Sequence, residues 1–137
     1  MSKLLLIAGA LFIVPGPLLA ASSGDDCAVL DIAFRQARTE FPTLKNRQFG
    51  GALCRYKSKE FTCEWGFPTD RYGDAETQIG RLERCTAAQP NAQLVEKKSH
   101  GATFQIDPDT RVRIQGPVPY SGDWAIELKI TTTADWN

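Results

Sequence analysis

The sequence predicts an α+β fold in which two helices pack on one face of an antiparallel sheet of about five strands, with two disulfides. Three observations support this class. Apolar residues recur at helical spacing over residues 27–40 and 70–88. Apolar and polar residues alternate over much of the stretch 103–130, and two of the four cysteines flank a short stretch with hairpin character. The predicted order is α-β-β-α-β-β-β, with one further short strand left open.

The N-terminus has the pattern of a secretory signal peptide over residues 1–22. Lys3 precedes an apolar run at residues 4–14, which prolines and small residues follow. This run is shorter than the ~20 apolar residues that span a bilayer. We therefore expect cleavage at the end of this segment and no stable membrane anchor afterwards. On its size, the stretch 23–131 is expected to form a single domain, and residues 132–137 are expected to form a frayed tail.

The first helix is predicted over residues 27–40. Its apolar residues fall on one face at spacings of three and four: Leu30, Ala33, Phe34, Ala37 and Phe41. Asp25 or Asp26 is expected to cap the start of this helix. Pro42 is expected to end it, because the residue before a proline disfavours helical backbone.

The stretch from Cys54 to Trp65 predicts a β-hairpin closed by its own disulfide. A two-residue turn at Ser58 and Lys59 puts apolar side chains on one face and charged ones on the other. Cys54 then faces Cys63 at a non-hydrogen-bonded position, where opposing side chains come closest and a disulfide fits. Four cysteines allow three pairings, so a different partner for each cysteine stays open at this point.

A second helix is predicted from Asp70 or Asp74 to Ala88. If the two helices lie antiparallel, Cys27 near the start of the first adjoins Cys85 near the end of the second. Cys27–Cys85 is then the expected second disulfide. An export signal together with an even number of cysteines implies an oxidising compartment, either periplasmic or extracellular.

The remaining strands are predicted beyond residue 93. A short one covers Leu94–Lys97, and further ones follow at 103–106, 111–115 and 124–130. The residues 107–110 have turn chemistry. The apolar residues on both sides of this turn share a face only if the connection contains an odd number of residues, so we expect three or five.

Composition argues against several classes of function. The chain has 16 basic and 16 acidic residues, and loss of Lys3 leaves a formal net charge of −1. This balance lacks the basic excess of a nucleic-acid-binding protein, and no polybasic run favours a membrane surface. The cysteine spacing and the single histidine do not match a zinc site, and no phosphate-binding loop is present. We therefore expect no cofactor or metal.

One face of the predicted sheet is rich in cations. If the strands share one sheet, its solvent face collects five basic residues: Arg55, Lys57, Arg111, Arg113 and Lys129. Three glutamates lie on the same face: Glu60, Glu64 and Glu127. An ordinary solvated face with cross-strand charge pairs is one interpretation. The other is a docking surface for a protein with an acidic patch, since arginine is enriched at interfaces.

Two functional hypotheses follow. The first is a small exported, non-catalytic protein-binding module, such as an inhibitor, an immunity-type partner or an envelope accessory factor. The alternative is a small secreted hydrolase in which His100 acts as a general base together with acidic residues. No motif places a nucleophile or a carboxylate beside His100, so no catalytic residue is assigned.

Overall fold

The computed structural model describes residues 17–39 and 49–134. Within these ranges the chain forms two helices and six strands, so the predicted α+β class is confirmed and the strand left open is present. The elements are α1 (Pro17–Gln36), β1 (Leu53–Lys57), β2 (Glu60–Phe67), α2 (Tyr72–Ala87), β3 (Gln93–Lys98), β4 (Gly101–Asp107), β5 (Thr110–Tyr120) and β6 (Asp123–Thr132). A single 3-10 turn at Thr69–Arg71 leads into α2.

All six strands join one antiparallel sheet in the order β1-β2-β6-β5-β4-β3. The chain leaves β2, passes through α2 to the far edge, and returns strand by strand until β6 pairs with β2. Helix α2 packs across β5 and β6, and α1 packs against α2. One sheet face is therefore covered by helices, and the opposite face holds the alternate residues of every strand.

The core lies between α2, α1 and the central strands. Ile126, Leu128 and Ile130 alternate along β6 and are almost completely buried. Leu128 pairs with Ile114 on β5 and with Cys63 on β2. Because side chains alternate between faces, this inward set places every other residue of the same strands on the outer face.

The first hairpin has the register expected from its sequence. Cys54 lies opposite Cys63, Lys57 lies opposite Glu60, and the two cysteines form a disulfide. The turn residue Ser58 has a φ of 54°, a left-handed conformation that a serine adopts less readily than glycine or asparagine. Strand pairing and the disulfide together hold a turn that local propensity alone would not favour.

Helix α1 differs from the prediction at both ends. It includes residues before 27, from Pro17 where the described part of the chain begins, and it ends at Gln36 rather than at residue 40. The small and apolar residues at 18–22, in the segment assigned to the signal peptide, do not interrupt the helix.

The expected cap at Asp25 or Asp26 is therefore wrong, because both residues lie inside α1. Asp26 instead joins the two helices. Its side chain is 9% exposed, and its Oδ2 lies 3.6 Å from Arg81 Nη1 and accepts a hydrogen bond from Gln78 Nε2 at 3.3 Å. Arg81 in turn donates to Gln78 Oε1 at 2.6 Å. Cys27 follows Asp26 directly and forms the second disulfide with Cys85, so one polar cluster and one covalent bond fix α1 on α2.

The C-terminal end of α1 passes into a turn at residues 37–39. The Ala37 amide still donates to the Ala33 carbonyl at 2.9 Å, and the Thr39 amide donates to Gln36 at 2.9 Å. These bonds close the helix before residue 40. Phe41 and Pro42, which the sequence placed at the helix end, lie outside the described residues.

The hairpin between β4 and β5 contains a β-bulge instead of a longer loop. Asp107 pairs with Thr110, so the loop has two residues rather than the three or five that we expected. The register shifts between Gln105 and Asp107, where Ile106 is the extra residue. This bulge keeps both Ile106 and Val112 on the buried face. A loop with an odd number of residues was expected for that same reason.

The C-terminal strand extends past the expected domain boundary at residue 131. Thr132 is buried, and its amide donates to the Lys59 carbonyl at 3.1 Å. The Thr133 amide donates to the Asp109 carbonyl at 2.8 Å. The expected frayed tail therefore cannot begin at residue 132, because two loops hold this end of β6. Residues 135–137 lie outside the described part of the chain.

The two disulfides indicate an oxidising environment. Neither helix in the ranges 17–39 and 49–134 is both long and apolar enough to cross a membrane.

The disulfides are expected to contribute unequally to stability. They join residues separated by 58 and 9 positions. In the chain-entropy argument, replacing Cys27 and Cys85 by alanine lowers the free energy of unfolding by about 4 kcal/mol, and replacing Cys54 and Cys63 lowers it by about 2.5 kcal/mol. Urea denaturation, monitored by tryptophan fluorescence, measures both free-energy losses. A larger loss from the hairpin pair would contradict this ranking.

Neutralising Asp26 is expected to destabilise the helix pair. Asp26→Asn weakens a buried acceptor and leaves Arg81 without its counter-charge, so we expect a loss of about 1–3 kcal/mol in the free energy of unfolding. Asp31→Asn is the matched control, because it makes the same chemical change in an exposed ion pair with Arg35 at 3.0 Å. That variant should lose less than about 0.5 kcal/mol. Equal losses by urea denaturation would contradict the role given to Asp26.

Candidate functional site

The five basic residues predicted to share a surface lie together on the sheet face away from the helices. We call Arg55, Lys57, Arg111, Arg113 and Lys129 the basic face. Strand pairing arranges them in two adjacent cross-strand rows. One row reads Arg55, Thr62, Lys129, Arg113, Thr103 and Glu96. The next row reads Lys57, Glu60, Thr131, Arg111 and Gln105.

Two members of the basic face have acidic partners. Arg55 Nη1 donates to Glu64 Oε1 at 2.8 Å, and Arg113 Nη2 lies 3.5 Å from Glu127 Oε1. The hydrogen bond to Glu64, assisted by the charge of the same carboxylate, raises the pKa of Arg55 above its ordinary value. These two pairs match the interpretation of a solvated face with cross-strand ion pairs, but they involve only part of the basic face.

Arg111 is held in place by a neutral partner. Its Nε donates to Gln105 Oε1 at 2.9 Å. The amide nitrogen of Gln105 donates to two carbonyls of the tight hairpin, Asp107 at 2.6 Å and Thr110 at 3.2 Å. The guanidinium is thus oriented without being neutralised, since Arg111 forms no ion pair within the described residues. An oriented, charged donor is well suited to bind an anion.

Arg113 and Lys129 lie directly opposite each other on β5 and β6. Like charges at such positions destabilise a sheet. Lys129 has no ion pair with any residue in the described ranges. The only acidic partner of Arg113 there is Glu127, whose Oε1 lies 3.5 Å from Arg113 Nη2. The stability of the fold therefore does not explain this arrangement.

A shallow depression of about 450 Å³ lies between these cations. We call it the cationic depression, and its lining is Val95, Glu96, Thr103, Arg111, Arg113, Lys129 and Thr131. Three positive charges and one negative charge therefore surround it. The two threonines add hydroxyl groups, and Val95 adds an apolar wall from the bulged edge strand β3.

His100 lies in the exposed turn between β3 and β4. Its carbonyl accepts a hydrogen bond from the Gly116 amide at 2.8 Å, while its imidazole makes no hydrogen bond to any described residue. It borders a hollow of about 220 Å³ together with Glu96, Ser99 and Arg113. No group of three potential metal ligands occurs in the part of the chain that the structure describes.

A second surface feature was not anticipated from the sequence. An apolar hollow of about 530 Å³ is lined by Tyr72, His100, Pro117, Val118, Pro119 and Trp124. The Tyr72 and Trp124 rings meet edge to face with centroids 4.7 Å apart, and the indole N–H donates to the Thr69 carbonyl at 3.0 Å. Its residues come from α2, β5, β6 and the turn between β3 and β4, so only the Pro-Val-Pro run with a tryptophan nearby could have suggested it.

Comparisons with protein-family models, with curated proteins and with solved structures find no match to this chain.

Removing the like-charge contact is expected to stabilise the sheet. Lys129→Gln should raise the free energy of unfolding by about 0.2–1 kcal/mol, because Arg113 then faces a neutral side chain. Lys57→Gln is the matched control, since Lys57 faces Glu60 and its removal should lower stability slightly. Both shifts should shrink in 1 M salt, where the screening length falls to about 3 Å. A destabilising Lys129→Gln in urea denaturation would contradict the strain assigned to this pair.

Proposed function

We propose that this chain is a small exported, non-catalytic protein-binding module whose basic face docks onto an acidic patch of another protein. The observation that carries the proposal is that Lys129, which forms no ion pair within the described residues, lies opposite Arg113 and beside the oriented guanidinium of Arg111. Such a module could act as an inhibitor, an immunity-type partner or an envelope accessory factor.

The sheet gives this surface a rigid base. Arg111 and Arg113 project from a central region of β5 that is paired on both sides. Residues on a paired strand lose little backbone freedom when a partner binds, which favours affinity. Charges on an exposed face also steer an oppositely charged partner and raise the rate of association.

Export rests on two independent features. The first is the signal-peptide pattern of residues 1–22, and the second is the pair of disulfides. We propose the periplasm or the extracellular space as the working compartment, because disulfides persist in both. A partner is accordingly expected among exported or surface proteins.

The hydrolase alternative rests on His100 acting together with acidic residues. Its imidazole has no hydrogen-bonded partner among the described residues, and Ser99 next to it is also exposed. A general base acts on a nucleophile or substrate within hydrogen-bonding reach. The binding proposal has three converging cations in its support, so it is the better supported of the two.

Charge reversal on the basic face is expected to abolish capture of the partner. The mature protein is immobilised, partners are captured from the native envelope and secreted fractions, and each is identified by mass spectrometry. The affinity of the purified partner is then measured by calorimetry. Arg111→Glu with Arg113→Glu should weaken binding at least about tenfold, because two attractions become repulsions.

The matched control is Arg35→Glu with Arg38→Glu, which changes the net charge equally on exposed residues of α1 and the turn after it. This control should leave the affinity within about twofold, since exposed charges more than a screening length away are largely screened. Failure to capture a partner, or equal effects of the two double variants, would overturn the proposal.

A further inference from the structure

We infer that the cationic depression binds two carboxylates of an extended acidic segment in the partner, with aspartate or glutamate at alternate positions. This inference rests on the proposed function, which concerns the whole basic face, and adds where on that face the contact is made and by what chemistry. The depression differs from the rest of the face because three cations border one concavity.

The spacing of the two arginines sets the spacing of the two carboxylates. Arg111 and Arg113 are two residues apart on β5 and project from the same face. A strand advances about 3.3 Å per residue, so their Cα atoms lie roughly 6.6 Å apart. An extended segment with acidic residues at alternate positions has the same repeat and presents both carboxylates on one side.

Arg111 offers a suitable fork of donors. The Nε of Arg111 is occupied by Gln105, while its terminal amino groups make no hydrogen bond within the described ranges. Arginine binds carboxylates through two parallel N–H bonds, which fix direction as well as charge. Lys129 lies opposite Arg113 and adds a third cation, and Thr131 lies opposite Arg111 with a hydroxyl that can donate.

Val95 favours a peptide over a small free anion. It is 47% exposed at the bulge of β3 and forms one wall of the depression. Buried apolar contact adds to binding in proportion to area. The methylene groups of an aspartate or glutamate side chain can make this contact, whereas inorganic phosphate has no apolar surface to offer.

The acidic residues of the same face disfavour a dense polyanion. Glu96 lines the depression and lies 3.7 Å from Lys98, and Glu127 lies 3.5 Å from Arg113. Glu60 lies on β2 opposite Thr131, and Glu64 lies on β2 opposite Glu127, both nearer to β1 than the depression is. A flat anionic surface, such as a bilayer of acidic lipid, would meet these carboxylates together with the cations. A narrow acidic segment can contact the depression and avoid most of them.

Two synthetic peptides of identical composition test the spacing. One five-residue peptide carries aspartates at its second and fourth positions, and the other carries them at its third and fourth. Amide chemical shifts of the mature protein are followed by NMR during titration. We expect shifts at Arg111, Arg113, Lys129 and Thr131, and about threefold tighter binding of the alternating peptide. Adjacent aspartates of an extended chain point to opposite sides, so only one reaches the depression.

Two variants distinguish binding at the cationic depression from binding to the basic face as a whole. Lys129→Glu should weaken binding of the alternating peptide at least about fivefold. Lys57→Glu makes the same charge change on the basic face outside the depression and should alter this affinity less than twofold. Any of four outcomes would overturn the inference. The two peptides could bind equally, the titration could produce no shifts, or the two variants could have equal effects. Inorganic phosphate or phosphatidylglycerol vesicles could also bind as tightly as the alternating peptide.

These outcomes are distinguishable from failure of the proposed function. If the peptides fail but capture of the native partner still depends on Arg111 and Arg113, the basic face stands and the two-carboxylate inference falls. If Lys57→Glu weakens partner binding as much as Lys129→Glu does, the whole face binds by its charge, and the inference again falls. If no reversal on the face affects capture, both fall together.

Discussion

The rest of the structure depends on the register of β2 against β1, and the pairing of Cys54 with Cys63 fixes this register. Cys63 pairs with Leu128, and Leu128 pairs with Ile114, so this register continues into β6 and β5. A one-residue slip at any of these steps would turn buried side chains outward and bring cations into the core. The buried core and the basic face are therefore two consequences of a single register.

The outer face contains two kinds of charge arrangement. Arg55 and Glu64 form an exposed ion pair of the kind that adds little to stability, and Glu64 lies opposite Glu127. Arg113 and Lys129 lie opposite each other at a cost to the sheet, and Gln105 orients Arg111 without neutralising it. Natural proteins depart from locally favourable choices mainly at functional sites, and the proposed docking role of this face is consistent with that tendency. The charge pattern thus distinguishes the β5 and β6 part of the face from the β1 part.

Local patterns in the sequence were sufficient for the hairpin register, for both cysteine pairs and for the membership of the basic face, because each follows from alternation or from helix ends. Features that depend on distant contacts were not predictable. The bulge at Ile106 is needed only because Val112 must face the same core. The opposition of Arg113 and Lys129 requires that β6 pair with β5. Asp26 resembled a helix cap, and only the position of Gln78 on α2 shows its buried role. The hollow beside Trp124 likewise combines residues from separate elements.

Non-reducing peptide mapping of the mature, exported protein tests the central claim, that one register produces both the core and the basic face. The account predicts peptides joined through Cys54–Cys63 and Cys27–Cys85. The N-terminal peptide from the same experiment should begin near residue 23. Any other pairing, or free thiols, would contradict the register of the first hairpin, and the arrangement of cations derived from that register would be contradicted with it.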